Sequence, residues 1–377
     1  MTRPLTVAPE SLSPSPPTLQ AIDRAAAELR RGGVVVVCDA AGTAIAAIAA
    51  EAASPESLAR LVGMGGGIPA VAVTGRRAAV LGLAEAGGDV VLIKAPAGFD
   101  AATVARLADP CVGDGALPGG LLPTRVAVDG AIGGAVTLNK LARLLPAAVV
   151  VRLPGDGRPQ AERFDLFRVT AAGIAAYQQT AARSLRAVSE ARVPLAGAPD
   201  ARIVAFRPSD GGIEHLAIII GEPDRDRPVL TRLHSECFTG DLLGSLRCDC
   251  GDQLRGAIAE IAQGGGGVLL YLAQEGRGIG LVNKLRAYQL QDVGFDTLDA
   301  NGQLGFDDDE RIYLPAAEML RLLGIAGVRL LTNNPLKVEA LARHDIEVAE
   351  RVPHVFPAND HNALYLRTKQ TRSGHLF

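Results

Sequence analysis

Three cysteines close together in the chain constrain its fold more than any other feature. Cys248 and Cys250 flank a single residue, and Cys237 lies eleven positions before Cys248. A Cys-x-Cys pair can place two sulfur atoms on one side of a turn, and a third cysteine nearby can complete a tripod. Three thiolates around Zn²⁺ leave the fourth tetrahedral position open for water, as in catalytic zinc sites. The spacing therefore predicts a metal centre built from these three residues.

The alternative is that the three thiols are simply buried, because a free cysteine packs as a small hydrophobic side chain. The composition of the surrounding stretch favours a site. A core strand does not carry so many polar and charged residues. Those of this stretch include His234, Ser235, Glu236, Asp241, Arg247 and Asp249.

Composition bounds the class of protein. The chain has 377 residues, 48% of them apolar and 21% charged, which predicts roughly two globular domains at about 150 residues each. A net charge of −3 argues against a nucleic-acid partner, which needs a basic face. The odd number of cysteines and the absence of a signal-type N-terminus indicate a reducing, cytoplasmic location. The apolar runs are interrupted before the ~20 residues of a membrane helix, so we expect no membrane partner.

Alternating strand and helix patterns predict an α/β (α+β) fold of two domains, each a mixed β-sheet covered by helices. The β-branched run Val34–Val37 is typical of a strand that is covered on both faces. We expect a flexible tail over residues 1–18, a first domain over 19–190 and a second over 191–377. One helix over Ala171–Ala191 is predicted to connect them. Further predicted strands are Ala70–Val73, Val90–Lys94, Arg202–Arg207, His215–Ile220, Val229–Leu233 and Val268–Leu272.

Two strand ends in the second half have the composition of ligand-binding turns. Glycines in Gln274–Gly280, directly after a strand and before a helix, let backbone N–H groups approach an anion, although such loops also serve as simple tight turns. A polar strand end followed by a helix start is where α/β folds bind ligands, so Thr332 and Lys337 should face one. Pattern alone favours core packing for Tyr288 and a solvated loop for Asp307–Arg311.

The second half, over about residues 192–377, resembles the GTP cyclohydrolase II family. Its motifs occur in family order with matching intervals. They are Arg232–Cys237, Ser245–Gly251, Gln274–Gly280, Asn283–Tyr288, Leu304–Phe306, Asp309–Arg311 and Leu331–Pro335.

The resemblance implies that GTP is hydrolysed to 2,5-diamino-6-(5-phosphoribosylamino)pyrimidin-4-one, formate and pyrophosphate, the first step of riboflavin biosynthesis. It implies Zn²⁺ on Cys237, Cys248 and Cys250, Mg²⁺ on the GTP triphosphate, and a homodimer. The implied GTP-binding residues are Arg232, Leu233, His234, Ser235, Glu236, Gln253, Glu275, Gly276, Arg277, Thr297, Thr332 and Lys337.

The implied catalytic residues are Asp309, Arg311 and Tyr288. Asp309 corresponds to the base, and Tyr288 assists ring opening, which overrides the core-packing interpretation. Arg311 corresponds to a nucleophile toward the α-phosphate. Because a guanidinium stays protonated in proteins, Arg311 can instead stabilise developing negative charge.

The first half resembles, more faintly, dihydroxybutanone phosphate synthase. The similarity lies in Val34–Asp39, Asp100–Pro110 and the helix through Tyr177. That family needs an acidic cluster just after the first strand, where this chain has Ala40–Ile48. It also needs a histidine, and no histidine precedes His215. We therefore predict a first domain that keeps the fold without the activity.

Two departures from the cyclohydrolase pattern lie beside the expected pocket. Ala273 stands where the family usually has arginine, and Gly302 where it often has histidine, so rate or affinity is expected to be reduced. Two other functions remain open at this point. One is a relative that releases only a ring-opened formamidopyrimidine, and the other is a non-catalytic GTP-binding protein with structural zinc.

Overall fold

The computed structural model describes residues 17–65, 67–113, 115–357 and 372. It divides into two compact units. The front unit comprises residues 17–177 together with Gly278–Glu310, and the back unit comprises Gln178–Arg277 together with the described residues from Arg311 onward. Within this part of the chain, no helix is both long and apolar enough to span a membrane. The tail predicted for residues 1–18 lies outside the described residues up to position 16, and the first helix begins at Pro17.

The strands are numbered in chain order across both units. They are β1 Val35–Cys38, β2 Ala44–Ala49, β3 Ala70–Thr74, β4 Val90–Lys94, β5 Leu122–Val126, β6 Ala147–Leu153, β7 Arg168–Thr170, β8 Arg186–Arg192, β9 Arg202–Arg207, β10 His215–Ile220, β11 Val229–Ser235, β12 Gly267–Leu272, β13 Gly327–Leu331 and β14 Glu347–Val352.

The α-helices are numbered in the same way. They are α1 Pro17–Arg30, α2 Pro55–Gly65, α3 Gly75–Val80, α4 Ala101–Ala108, α5 Ala131–Leu141, α6 Arg158–Arg163, α7 Ala171–Arg183, α8 Cys250–Gln263, α9 Leu281–Asp292, α10 Thr297–Gln303, α11 Leu314–Leu322 and α12 Pro335–Ala342.

The front sheet has seven strands in the order β5-β4-β3-β6-β2-β1-β7. Only β1 and β7 pair in parallel, and the other neighbours are antiparallel. Side chains alternate across a strand, so Val34 and Val36 pack in one apolar cluster while Val35 and Val37 pack in another. The strand is therefore buried on both faces, as its continuous β-branched run predicted.

Residues 278–310 complete the core of the front unit. Ile279, Leu290 and Phe306 are almost fully buried in the same apolar cluster as the sheet residues Val71 and Val73. The structure thus groups this part of the second half of the chain with the first half, while the domain boundaries drawn from the sequence stay a prediction.

The back sheet also has seven strands, in the order β14-β13-β11-β12-β10-β9-β8. Strand β11 lies between β12 and β13 and is parallel to both. The carboxyl ends of these three strands therefore meet at one edge, where α/β folds bind ligands. Two mixed sheets covered by helices confirm the predicted fold class.

The single helix predicted over Ala171–Ala191 was wrong. Helix α7 ends at Arg183, where the Ser184 hydroxyl donates to the carbonyl of Ala181 and accepts from Ser209 N–H. The following residues form β8, which pairs antiparallel with β9. Residues common in helices occupy β8, and the pairing with a distant strand overrides that local preference.

Candidate active site and metal centre

The fold brings three sulfur atoms together in the back unit. The Sγ atoms of Cys237, Cys248 and Cys250 lie within 4.8 Å of one another, and those of Cys237 and Cys248 are 3.7 Å apart. All three are in the thiol form, and Cys237 and Cys248 are buried. Cys237 follows the end of β11, and Cys250 is the first residue of α8. The positive end of the helix dipole therefore lies at the thiols and favours their deprotonation.

Gly240 leaves the space in front of the sulfurs open. A Cβ at this position would lie 2.8 Å from Cys248 Sγ and 3.1 Å from Cys237 Sγ. The hydrogen bond with Cys237 and burial raise the pKa of Cys248 to about 11, and the same kinds of contact raise the pKa of Cys250 well above its ordinary value. A metal ion would replace the shared protons, because thiolates are its ligands. Three crowded sulfurs beside a glycine thus fit a Zn²⁺ ion.

Asp241 fixes the loop that carries Cys237. Its carboxylate accepts hydrogen bonds from Cys237 N–H at 3.0 Å, from the Tyr271 hydroxyl at 2.9 Å and from His234 Nε2 at 3.0 Å. The His234 and Tyr271 rings stack with their centroids 5.5 Å apart. Burial lowers the pKa of His234. The imidazole is therefore a neutral support for the loop.

A buried chain of polar side chains starts at Arg232. One of its terminal nitrogens donates to Leu331 O at 2.8 Å and the other to Gln253 Oε1 at 2.5 Å. Gln253 Nε2 in turn donates to Asp249 Oδ2 at 2.5 Å. Burial lowers the pKa of Arg232 to about 10, and Asp249 opposes that shift. Arg232 Nε has no hydrogen-bond partner within the described part of the chain, so this buried cation retains a donor.

His354 contacts the same series of hydrogen-bonded residues at Gln253. Its Nε2 donates to Gln253 O at 2.9 Å, and its Nδ1 lies 3.1 Å from Glu260 Oε2. Asn333 anchors the histidine by accepting from His354 N–H and donating to its carbonyl. The ring therefore holds the first turn of α8, which carries both Gln253 and Cys250.

The loop after β12 contacts the cysteine loop. The buried carboxylate of Glu275 accepts from Phe238 N–H at 2.6 Å and from Gly276 N–H at 3.0 Å. Gly276 and Arg277 both have left-handed backbone angles, with φ of 63° and 62°. Such a conformation is rare for arginine and clusters at functional sites. Glu275 therefore connects the glycine turn with the residue after Cys237.

Residues from the ends of β11 and β13 complete the site. The buried Lys337 donates to Leu233 O at 2.8 Å, and the buried Thr332 accepts from Asn334 N–H at 3.0 Å. Ser235 Oγ accepts from Arg311 at 3.5 Å. Glu236 N–H donates to Leu272 O, which keeps β11 paired with β12 beyond the end of the strand.

Three of the sequence-predicted site residues belong to the front unit. Tyr288 lies on α9 with Lys284 Nζ 5.7 Å from its ring centre. Thr297 is the first residue of α10 and accepts from Gln291 at 3.1 Å. Asp309 is exposed in the segment that precedes α11. Their roles toward the substrate stay predictions.

Sequence reasoning missed the positioning role of Asp241, Tyr271 and His354. Asp241 was noted only as one polar residue of the cysteine stretch. Its contacts join residues 7 and 30 positions apart in the chain. Only the repeated occurrence of acids and amides beside the cysteines indicated that such support exists.

A thiol cluster and buried cations at the carboxyl ends of three parallel strands make the back unit the site of an α/β enzyme rather than a packing domain. The model of the family described as "GTP cyclohydrolase II" matches residues 186–353. The chain belongs to the GTP cyclohydrolase II family, as its relatives show.

Three relatives align along nearly the whole chain. The GTP cyclohydrolase-2 of Azospirillum brasilense is 56% identical over 374 residues, covering 98% of this chain and 97% of that protein. The GTP cyclohydrolase-2 of Xylella fastidiosa (strain 9a5c) is 38% identical, covering 94% of this chain and 86% of that protein. The riboflavin biosynthesis protein RibBA of Bacillus cereus is 36% identical, covering 94% of this chain and 98% of that protein.

Proposed function

We propose that this chain hydrolyses GTP to 2,5-diamino-6-(5-phosphoribosylamino)pyrimidin-4-one, formate and pyrophosphate, in the first step of riboflavin biosynthesis. The observation that carries the proposal is the cluster of three sulfur atoms in the same unit as the buried cations Arg232 and Lys337. A metal ligand set next to fixed cations suits a substrate with a purine ring at one end and a triphosphate at the other. The names of the relatives support the same substrate and pathway.

Zn²⁺ is the metal that fits the three thiols, because soft thiolate ligands select it and Gly240 leaves room beside them. When bound, it supplies a Lewis acid that lowers the pKa of water to about 7. The chain's own residues hold this centre in place. Asp241 fixes the backbone of Cys237 and His354 fixes the turn that carries Cys250.

The cations of the back unit suit the phosphate groups. Arg232 is buried and retains an unpartnered N–H donor within the described residues. Arg311 donates to Ser235, so its guanidinium is a hydrogen-bond donor, and we assign it stabilisation of negative charge on the α-phosphate. Mg²⁺ accompanies the triphosphate as part of the substrate, since hard oxygen ligands bind it well.

The remaining roles follow the family resemblance. Gln253 and Glu275 present amide and carboxylate groups that can recognise the guanine edge. We assign the base to Asp309 and assistance of ring opening to Tyr288. Homodimerisation and a cytoplasmic location are further parts of the proposal.

The first domain is proposed to lack synthase activity. Its only acidic residue directly after β1, Asp39, accepts from Ala41, Thr43 and Ala131 N–H groups, so its carboxylate caps a turn and the start of α5. The following strand β2 contributes six buried apolar side chains. A carboxylate cluster for a sugar phosphate is therefore replaced by hydrophobic packing.

The test is a product assay on the purified full chain with GTP, Zn²⁺ and Mg²⁺. We expect formate, pyrophosphate and the diaminopyrimidine in equal amounts. Formate without pyrophosphate would support the formamidopyrimidine alternative, and tight GTP binding without product would support the non-catalytic one. Ribulose 5-phosphate should yield no dihydroxybutanone phosphate, and robust synthesis would contradict the inactive first domain.

A further inference from the structure

The segment that carries Asp309 is held by side chains from the first half of the chain. Asp308 accepts a hydrogen bond from Arg76 at 3.3 Å, and Glu310 accepts one from Lys140 at 2.7 Å. Asp309 lies between these two anchored neighbours. Its backbone position is therefore set by residues outside the segment 186–353 that the family model matches.

Lys140 joins two residues of this segment, Asp307 and Glu310, which also contact each other. Besides Glu310, its Nζ contacts Asp307 Oδ2 at 3.3 Å, while Glu310 Oε1 also accepts from Asp307 N–H at 2.8 Å. The side chains of Lys140 and Glu310 are only 22% and 19% exposed, so solvent and salt screen this pair less than a surface ion pair. Arg76 reaches Asp307 from the other side at 2.9 Å.

The backbone just before the segment is held as well. Thr74 Oγ1 donates to Gly305 O at 2.7 Å, and Arg77 donates to Gln303 O at 3.0 Å. Gly305 has a φ of 85°, and a Cβ there would lie 2.8 Å from Thr74 Oγ1. Only glycine therefore permits this close approach. Phe306, the next residue, is 1% exposed in the core of the front unit.

We propose that the first domain acts as a positioning element for the cyclohydrolase reaction, with Lys140 as its principal positioning residue. The domain holds residues 303–310 in the conformation that presents Asp309. This inference rests on the proposed function only in assigning Asp309 the role of base. It gives a physical reason for the presence of a first domain without its own reaction centre.

The test uses three full-length variants. Lys140→Met removes the charge and keeps the length of the side chain, Lys140→Arg restores the charge, and Lys94→Met is the matched control on an exposed lysine of β4 in the same unit. Steady-state GTP turnover gives kcat and KM. Hydrogen–deuterium exchange of peptides covering 303–311 reports the conformation of the segment without depending on chemistry.

Because a misplacement of about 1 Å can cost ~100-fold in rate, we expect Lys140→Met to lower kcat by about 10- to 100-fold with KM for GTP unchanged. Exchange should accelerate in 303–311 and nowhere in the back unit's core. Lys140→Arg should recover most of the rate, and Lys94→Met should match the parent protein.

The proposal is overturned if Lys140→Met and Lys94→Met have the same kcat and the same exchange, or if the exchange increase spreads over the whole chain. If the parent protein fails to turn over GTP, the proposed function fails by itself. The hydrogen–deuterium exchange of peptides covering 303–311 then still decides whether Lys140 holds the segment.

Discussion

The two seven-stranded mixed sheets of this chain lie in units that differ in which polar side chains are buried. Among the described residues of the back unit, buried polar side chains gather at the strand ends, and they include Arg232, His234, Asp249, Glu275, Thr332, Lys337 and His354. Within the described ranges of the front unit, the buried polar side chains are Arg77, Thr103, Asn139, Asn283, Lys284 and Asn301. Asn139 bonds its own helix, and Arg77 binds carbonyl groups. Fold alone therefore does not determine function. The back unit is the one whose described residues combine several buried charged side chains with a cluster of three sulfur atoms.

The largest difference should appear between cysteines of the two units. Cys248→Ser removes one of three clustered sulfurs, and we expect it to lower kcat by at least about 100-fold, the upper end of the effect of losing a supporting group. Cys111→Ser in the front unit, whose thiol lies 3.7 Å from Arg286 O, should leave turnover unchanged. Formate release measures both, and equal rates for the two variants would remove the distinction between the units.

A methyl group beside the sulfurs should act nearly as strongly. Gly240→Ala places a Cβ 2.8 Å from Cys248 Sγ, so the cluster must open, at a cost of about 1–3 kcal/mol for overpacking. We expect substoichiometric zinc by elemental analysis and a turnover that falls with it. Gly63→Ala is the matched control, because nothing lies within 4 Å of a Cβ there. Full zinc content in Gly240→Ala would contradict the assigned position of the ion.

Supporting residues should have an intermediate effect. Asp241→Asn keeps the shape but loses an anionic acceptor for His234, Tyr271 and Cys237 N–H. Residues that hold a metal ligand in place through hydrogen bonds typically contribute about 10- to 100-fold in metal affinity or activity. Zinc affinity from a chelator competition is the measurement. Asp252→Asn, an exposed acid on α8 paired with Arg255, is the control and should bind zinc like the parent.

The smallest effect concerns pH. Burial and then the Arg232 charge lower the pKa of His354 below its ordinary value of 6.5. The unfolded chain then binds more protons than the folded chain, so the free energy of unfolding falls as the pH drops below about 6.5, by up to about 1.4 kcal/mol per pH unit. The free energy of unfolding, measured with urea between pH 5 and 7, should change less with pH in His354→Gln than in the parent protein. A slope in His354→Gln equal to that of the parent protein would refute the assignment.

Local patterns predicted much of the fold. The strands Val90–Lys94, Arg202–Arg207 and His215–Ile220 were predicted with the bounds that the structure has. The Ala171–Ala191 helix failed because the pairing of β8 with β9 is a long-range interaction that residue preferences do not encode. The structure groups Gly278–Glu310 with the first half of the chain, a long-range arrangement of the same kind, and the domain boundaries drawn from the sequence stay a prediction.

The site was predictable where its chemistry is local. The cysteine spacing predicted that three sulfur atoms converge, and they lie within 4.8 Å of one another. The ligand-binding role of the glycines after β12 stays a prediction. The support of Cys237 by Asp241 and Tyr271, and of Gln253 by His354, depends on atoms up to 101 positions apart in the chain. Such contacts follow from topology, and a single sequence does not specify them.

Zinc restoration tests the central claim most directly. The full chain is stripped with a chelator and zinc is returned in steps, while bound metal and formate release are measured on the same samples. We expect turnover to rise in proportion to zinc and to level off at one ion per chain. Full turnover in the stripped protein would contradict a reaction that depends on the three-sulfur centre.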